Sequence, residues 1–296
     1  MLAHALRPPF GPMKMPLFTL LLLGTLQTAC SAQQKQPKES AVNDGMSLLW
    51  QIERPGHKTS WLFGTMHMIC KEDYIWTPVM ERALRQSEII CFEMDMDDPA
   101  ILMQVAMGLI DTSGKKLRDY FTEEQYARLE QYVADSLQGN LAMFEQMKPF
   151  ALQALFLTQG GVCDSFLSYE NELMNRAQQD HKQVVGLETP ARQLAVINNI
   201  PVDTVISAIM DMIDHPGQDW TEYHEMTTLY RTQNLPGLHR LIGSAKGMEG
   251  ILNLFLDDRN REWAGAMGKM METDAVFFAV GAGHLWGENG VISLLR

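Results

Sequence analysis

Val276-Phe277-Phe278-Ala279-Val280, running straight into Gly281-Ala282-Gly283-His284, is the stretch on which the fold turns. Its β-branched and aromatic residues favour a strand, and an unbroken apolar run predicts one buried on both faces. Glycine then allows a tight bend as the strand exits, aiming the imidazole that follows over the sheet edge. The same succession occurs upstream, where Trp61-Leu62-Phe63 leads into Gly64-Thr65-Met66-His67. Two further apolar runs end in carboxylates: Ile89-Ile90-Cys91-Phe92 runs into Glu93, and Val184-Val185-Gly186-Leu187 into Glu188.

Helix-start signals lie between these runs. Thr77-Pro78 reads as N-cap and first helical position for a helix to about Gln86. Thr122 with Gln125 forms a capping-box pattern, and Thr189-Pro190 opens another helix directly after Glu188. Strand, turn and helix therefore repeat, which predicts an α/β domain: a mostly parallel or mixed sheet flanked by helices. Residues 98–180 and 201–271 look mainly helical and carry many of the 21 methionines, a large helical insertion. Adaptable core packing is the expected use of those thioethers, with a mobile helical lid or substrate groove as the alternative. In open α/β sheets ligands bind beyond the carboxyl ends of the strands. His67, Glu93, Glu188 and His284 all fall at such ends.

The first thirty residues do not read as part of the fold. Lys14 gives a positive start, Leu17 to Leu26 form an apolar run too short to span a bilayer, and Thr28-Ala29-Cys30 closes it, as in a signal peptide. The small residues before Cys30 resemble a bacterial lipoprotein signal, in which Cys30 carries the lipid; secretion after Ala29 or Ala32 is the alternative. Residues 31–45 are polar and lack aromatics, as a flexible tether would. The domain proper is then 46–296, exported to the bacterial cell envelope and touching a membrane only through its lipid anchor. Net charge is −12 with no Lys/Arg stripe, which disfavours nucleic acid as a partner. Cys91 lies in an apolar run and is expected to be buried and inert. Cys70 and Cys163 are available to pair in an oxidising compartment, although spacing does not establish a bridge.

Glu93 follows four apolar residues, where an unpaired carboxylate is costly to desolvate, so it needs a cation, a metal or a proton. Two neutral imidazoles with a carboxylate suit a divalent ion such as Zn, Mn or Co, here held by His67, Glu93 and His284. Such an ion acidifies bound water and polarises a carbonyl, which is what hydrolysis requires. Glu188 is divided between support of the following helix N-terminus and a role in the site. Arg259, in Asp257-Asp258-Arg259-Asn260-Arg261, is divided between a same-helix ion pair and the site. No His-Glu-x-x-His helix, Gly-x-Ser-x-Gly elbow or phosphate-binding Gly-rich loop is present.

With these residues assembled, the chain resembles the TraB/GumN family, which includes the TIKI metalloproteases. The resemblance rests on Trp61 to His67, Phe92-Glu93-Met94-Asp95, Lys148-Pro149-Phe150, Ser168-Tyr169-Glu170, Val185-Gly186-Leu187-Glu188-Thr189 with Gln193, Arg259-Asn260, and Val280-Gly281-Ala282-Gly283-His284-Leu285-Trp286-Gly287. It implies a divalent-metal-dependent hydrolase of peptidase type in which His67, Glu93 and His284 are essential. A more distant similarity to erythromycin-esterase-like and ChaN-like proteins implies that architecture. It also raises Arg259 as a site residue that polarises a substrate carbonyl or stabilises an oxyanion. The expected partner is a peptide or small-molecule substrate. The alternatives are a metal-free esterase-like hydrolase, or a metal- or haem-binding lipoprotein without turnover.

Overall fold

The computed structural model describes residues 46–159, 163–215, 217–245 and 252–296. The signal-peptide, Cys30 and tether expectations for 1–45 lie outside the described residues. The described residues form seven strands: β1 (Leu49–Ile52), β2 (Ser60–Thr65), β3 (Ile69–Cys70), β4 (Ile89–Phe92), β5 (Phe166–Leu167), β6 (Gln183–Gly186) and β7 (Val276–Gly281). The helices are α1 (Pro78–Gln86), α2 (Pro99–Gly108), α3 (Glu123–Leu137), α4 (Pro149–Gln159), α5 (Tyr169–Gln179), α6 (Pro190–Asn198), α7 (Val202–Asp214), α8 (Gln218–Arg231), α9 (Leu235–Ser244), α10 (Asp258–Met270) and α11 (Val291–Leu294).

The main sheet has the order β1-β2-β7-β4-β6, parallel throughout except for antiparallel β1 at one edge. It is the mixed sheet flanked by helices that the alternation of apolar runs and caps predicts. β7 lies at its centre, with Val276 to Val280 wholly buried, as an all-apolar strand must be. The run at β6 departs from expectation. It forms the other edge and is half-buried, because only β4 covers one of its sides. β1 was not evident as a strand from periodicity; it depends on pairing Trp50 with Leu62 and Gln51 with Trp61.

The expected helix starts are in place. Thr77 Oγ1 accepts from Met80 N (3.3 Å) and Thr189 Oγ1 from Arg192 N (3.3 Å), each with proline opening the helix. Thr122 and Gln125 exchange both capping-box bonds, at 3.0 and 3.2 Å. One core holds the sheet together with Trp263 and Met267 of α10, Tyr230 of α8, and Tyr169 and Leu173 of α5. A second core joins α3, α4 and α7 through Leu129, Val133, Phe156, Ile209 and their neighbours, which gives the helical insertion its own apolar centre. Core packing of methionine fails at α2: Leu102, Met103 and Met107 are exposed and nothing on the helix is buried. Among the described residues no single helix is long and apolar enough to cross a membrane.

Candidate functional site

Parallel pairing of β2 with β7 places Gly64 opposite Val280 and Thr65 opposite Gly281, so both Gly-x-x-His turns leave the sheet side by side. They touch. A Cβ on Gly64 would meet Cα and Cβ of Ala282 at 3.1 Å, so the absence of a side chain there lets the turns approach. β4 pairs with β7 on its other side and delivers Glu93 next to Gly281, whose N–H donates to Glu93 Oε1 at 2.9 Å. β6 pairs with β4, and Glu188 N donates to Glu93 O at 2.9 Å, bringing the second carboxylate alongside.

Arg259 unites the floor of this site. A π-helical turn at Asn253–Asp257 runs into α10 just before it, and α10 carries the arginine under the sheet edge. Its Nε donates to Glu188 Oε2 (3.0 Å), and Nη2 to Glu188 Oε1 (2.6 Å) and Glu93 Oε2 (2.7 Å). Nη1 donates to Phe255 O (3.1 Å) and faces His284 Nε2 (3.2 Å). These contacts use all five guanidinium N–H groups. The role expected for Arg259, polarising a substrate carbonyl, would require one of these partners to release a donor. No donor is left over, and its partners lie on other elements rather than on its own helix, where Arg261 and Asp258 form the local pair.

His284 is buried against Trp263, with ring centroids 4.4 Å apart, and its Nδ1 lies 2.7 Å from Asn260 Oδ1. Since the amide oxygen can only accept, the ring proton sits on Nδ1, leaving Nε2 to accept from Arg259. Burial lowers the pKa of His284 to about 3; the Glu93 charge opposes this and the Arg259 charge adds to it. The ring is neutral at physiological pH. Burial would raise Glu93, but His284, His67, Arg259 and the Gly281 N–H outweigh it and hold the carboxyl at about 2. With His284 neutral at pH 7, the His67 imidazolium and the Arg259 guanidinium are the charges that act on it there. Glu188 moves upward: burial and the Glu93 charge push it up against the pull of Arg259. Two carboxylates thus share one arginine, and Glu93 is the firmly ionised one.

His67 differs from all of these. Its side chain is 69% exposed, yet Nδ1 lies 3.1 Å from Oε1 of the buried Glu170. Thr65 Oγ1 donates to the same oxygen (2.6 Å) and Ser168 Oγ to the other (3.0 Å). The hydrogen bond to Glu170 is the largest influence on His67 and raises its pKa to about 9, with burial opposing and the charges of Glu170 and Glu93 assisting. The ring meets solvent over most of its surface. Screening by that solvent limits the shift, and its upward direction follows from the adjacent carboxylate.

Among the described residues the ligand atoms of His67, Glu93 and His284 do not gather within 4.8 Å of one another; Cys70, Glu72 and Cys163 do, but the two sulfurs are joined as a disulfide. The donor types would suit a divalent ion. The placement does not, because Arg259, itself a cation, already takes Glu93 Oε2 and His284 Nε2. A cavity of about 560 Å³ lined by Tyr120, Thr122, Asp203 and Asp211 contains none of these residues.

Every site residue expected from sequence lies at this sheet edge, four joined through Arg259 and the exposed His67 paired with Glu170. Glu170, Asn260 and Gln193, which donates to Glu93 Oε2 at 3.3 Å, were not singled out for chemistry. Glu170 follows the N-cap Ser168 and so reads as ordinary first-turn acidity. Asn260 carries no signal beyond its place beside Arg259. Cys91 is buried, and burial pushes its thiol up to about 12, in keeping with an inert core residue.

Comparison with known proteins matches the TraB/PrgY/gumN family over residues 48–296. The chain is 22% identical to Metalloprotease TIKI1 of Danio rerio, over 86% of this chain and 62% of that protein. To human Metalloprotease TIKI1 it is 23% identical, over 88% and 62%. It is 22% identical to the uncharacterised protein YbaP of Shigella flexneri, over 83% and 90%. The chain thus spans less than two thirds of the length of the TIKI relatives. No solved structure matches.

Proposed function

The chain belongs to the TraB/PrgY/gumN family, and from that premise we propose that it is a hydrolase of peptide-type bonds with His67 as its reacting group. The observation that carries this reading is the solvent-facing imidazole held at 3.1 Å by a buried carboxylate, at the shared exit of β2 and β7. With Nδ1 turned to Glu170, Nε2 is left on the solvent side of the ring. There it takes a proton from water as that water attacks a substrate carbonyl carbon, and returns it to the leaving amine. The peptide class rests on the TIKI relatives, which are metalloproteases by name. The charges of Glu170 and Glu93 favour the imidazolium formed when the proton is taken, against the opposing charge of Arg259.

A folded pKa of about 9 leaves roughly one ring in a hundred as free base at pH 7. Cleavage of a peptide library should therefore quicken as pH rises from 7 towards 9. His67→Ala should slow it by about 10²–10⁴-fold with circular dichroism unchanged, because the ring is exposed. Undiminished cleavage by that variant would remove His67 from the reaction.

The second reading takes the relatives' name at full value: a divalent ion, Zn, Mn or Co, held by His67, Glu93 and His284. It requires Arg259 to release Glu93 and His284. Exhaustive dialysis against chelator, followed by re-addition of each ion, separates the two; turnover that vanishes and returns favours the ion. As to location, a Cys70–Cys163 bridge supports an oxidising compartment. We extend the proposal to an exported envelope protein anchored through Cys30. Cys30→Ser should move it from the membrane to the soluble fraction.

A further inference from the structure

His67 lies just ahead of β3 and Glu170 just behind β5. β3 and β5 pair only with each other, Ile69 with Leu167 and Cys70 with Phe166, in a ribbon separate from the main sheet. A two-stranded ribbon this short does not hold itself together in water. Here it is fastened from several sides. The Cys70–Cys163 disulfide crosses it, Lys71 N donates to Ser165 O (3.0 Å), and Cys70 N donates to Tyr223 Oη (2.8 Å). The Tyr223 ring also stands edge-on to Phe166. The fastened ribbon brings the loop bearing His67 to the start of α5, where Thr65 and Ser168 pin both oxygens of Glu170.

We propose that Glu170 is the positioning residue for His67, turning Nδ1 inward and Nε2 towards solvent, and that the Cys70–Cys163 bridge maintains this pairing, so that hydrolysis depends on the oxidised clip. The inference rests on His67 being the reacting group. Cys70 is buried and Cys163 half-buried, so an external dithiol attacks at Cys163. The S–S bond breaks, thiols form at both cysteines, and the dithiol leaves as its own disulfide. What remains of the clip is two ladder pairs, the Lys71–Ser165 bond and the Tyr223 contacts.

The test uses the full chain, oxidised and after dithiothreitol. Glu170→Gln keeps the size of the side chain and loses its charge; kcat should fall by about 10²-fold with KM little changed, and Glu170→Asp should recover part of the loss. Reduction should lower kcat reversibly in the wild type. In the Cys70→Ser/Cys163→Ser double variant kcat should be low already and indifferent to dithiothreitol. A readout free of turnover is the hydrogen-bonded Nδ1–H signal of His67 in ¹⁵N-histidine NMR, assigned by its absence in His67→Ala. It should disappear in Glu170→Gln and broaden on reduction. Wild-type kcat in Glu170→Gln, or a ring signal unmoved by that substitution and by reduction, overturns the proposal. If no form cleaves any substrate while the ring signal still follows Glu170 and the bridge, the positioning stands and the hydrolase reading falls.

Discussion

Arg259 shows how much one side chain can determine at this edge. It is 5% exposed and ties Glu93, Glu188, His284 and the Phe255 carbonyl with all five of its donors. Arg259→Met would leave two buried carboxylates without their cation. We expect a loss of about 3–5 kcal/mol in urea unfolding at pH 7, the usual result of breaking a buried ion pair from one side. The neutral His284 adds a pH dependence of definite sign. Above its ordinary value of 6.5 the ring is uncharged folded and unfolded, and stability is unaffected. As pH falls from 6.5 towards about 3, the unfolded chain binds a proton that the buried ring refuses, so stability declines. Glu93 adds to the decline between 4.5 and about 2, where its carboxylate is protonated first in the unfolded chain. His67 acts in the opposite sense: its contribution is complete below 6.5 and is lost as pH climbs through about 9. It stays small because solvent screens the exposed ring. Urea midpoints measured across pH 3–9 should therefore drop on the acid side, and His284→Gln should flatten the segment between 6.5 and 4.5.

Among the elements, the junction of β4 with β6 has the least slack. A Cβ on Gly186 would come within 2.6 Å of the Met94 carbonyl carbon and 2.9 Å of its Cα. These are backbone atoms, so the strands must part for any side chain. Gly186→Ala should cost about 1–3 kcal/mol by thermal unfolding and displace Glu93, which adjoins Met94; an unchanged melting temperature would show that the edge yields freely. The same junction leads into Asp95, Asp97 and Asp98. Asp98 Oδ1 caps α2 through Ala100 N (2.8 Å), and Asp95 Oδ1 accepts from Asp97 N (3.1 Å). They are turn residues. α2, which they introduce, packs closely through Gly108 against Leu194 of α6 and turns Leu102, Met103 and Met107 to solvent. Apolar spacing on a helix reports a face that can be buried. Whether it is buried depends on a neighbour that spacing does not contain.

For the molecule as a whole, the disulfide is the longest covalent constraint, joining positions 93 residues apart across β3 and β5. Closing so long a loop restricts the unfolded chain, and removing both cysteines should cost about 2–4 kcal/mol in urea unfolding of the oxidised protein. Equal stability of the Cys70→Ser/Cys163→Ser double variant would show that the ribbon is held by Tyr223 and its ladder alone. The two apolar centres differ in what they support. The sheet core carries every site residue at one edge, while the α3–α4–α7 core sustains the helical insertion.

By itself the sequence determined the alternation of buried strands with capped helices, and the strand ends that carry His67, Glu93, Glu188 and His284. These follow from local chemistry: apolar runs demand burial, threonine and proline start helices, and glycine lets a chain turn. It also supplied the resemblance to the family. Only the tertiary structure decided which partners those side chains have. Glu170 reaches His67 from more than a hundred positions away in the chain, through a ribbon of two residues a side, and neither half shows a pattern of its own. Arg259 serves the carboxylates of two strands because α10 passes beneath their ends, a matter of packing. The two Gly-x-x-His turns, alike in sequence, part company for the same reason. One faces solvent with a carboxylate behind it, and the other is sealed beneath Trp263, neutral and fully bonded.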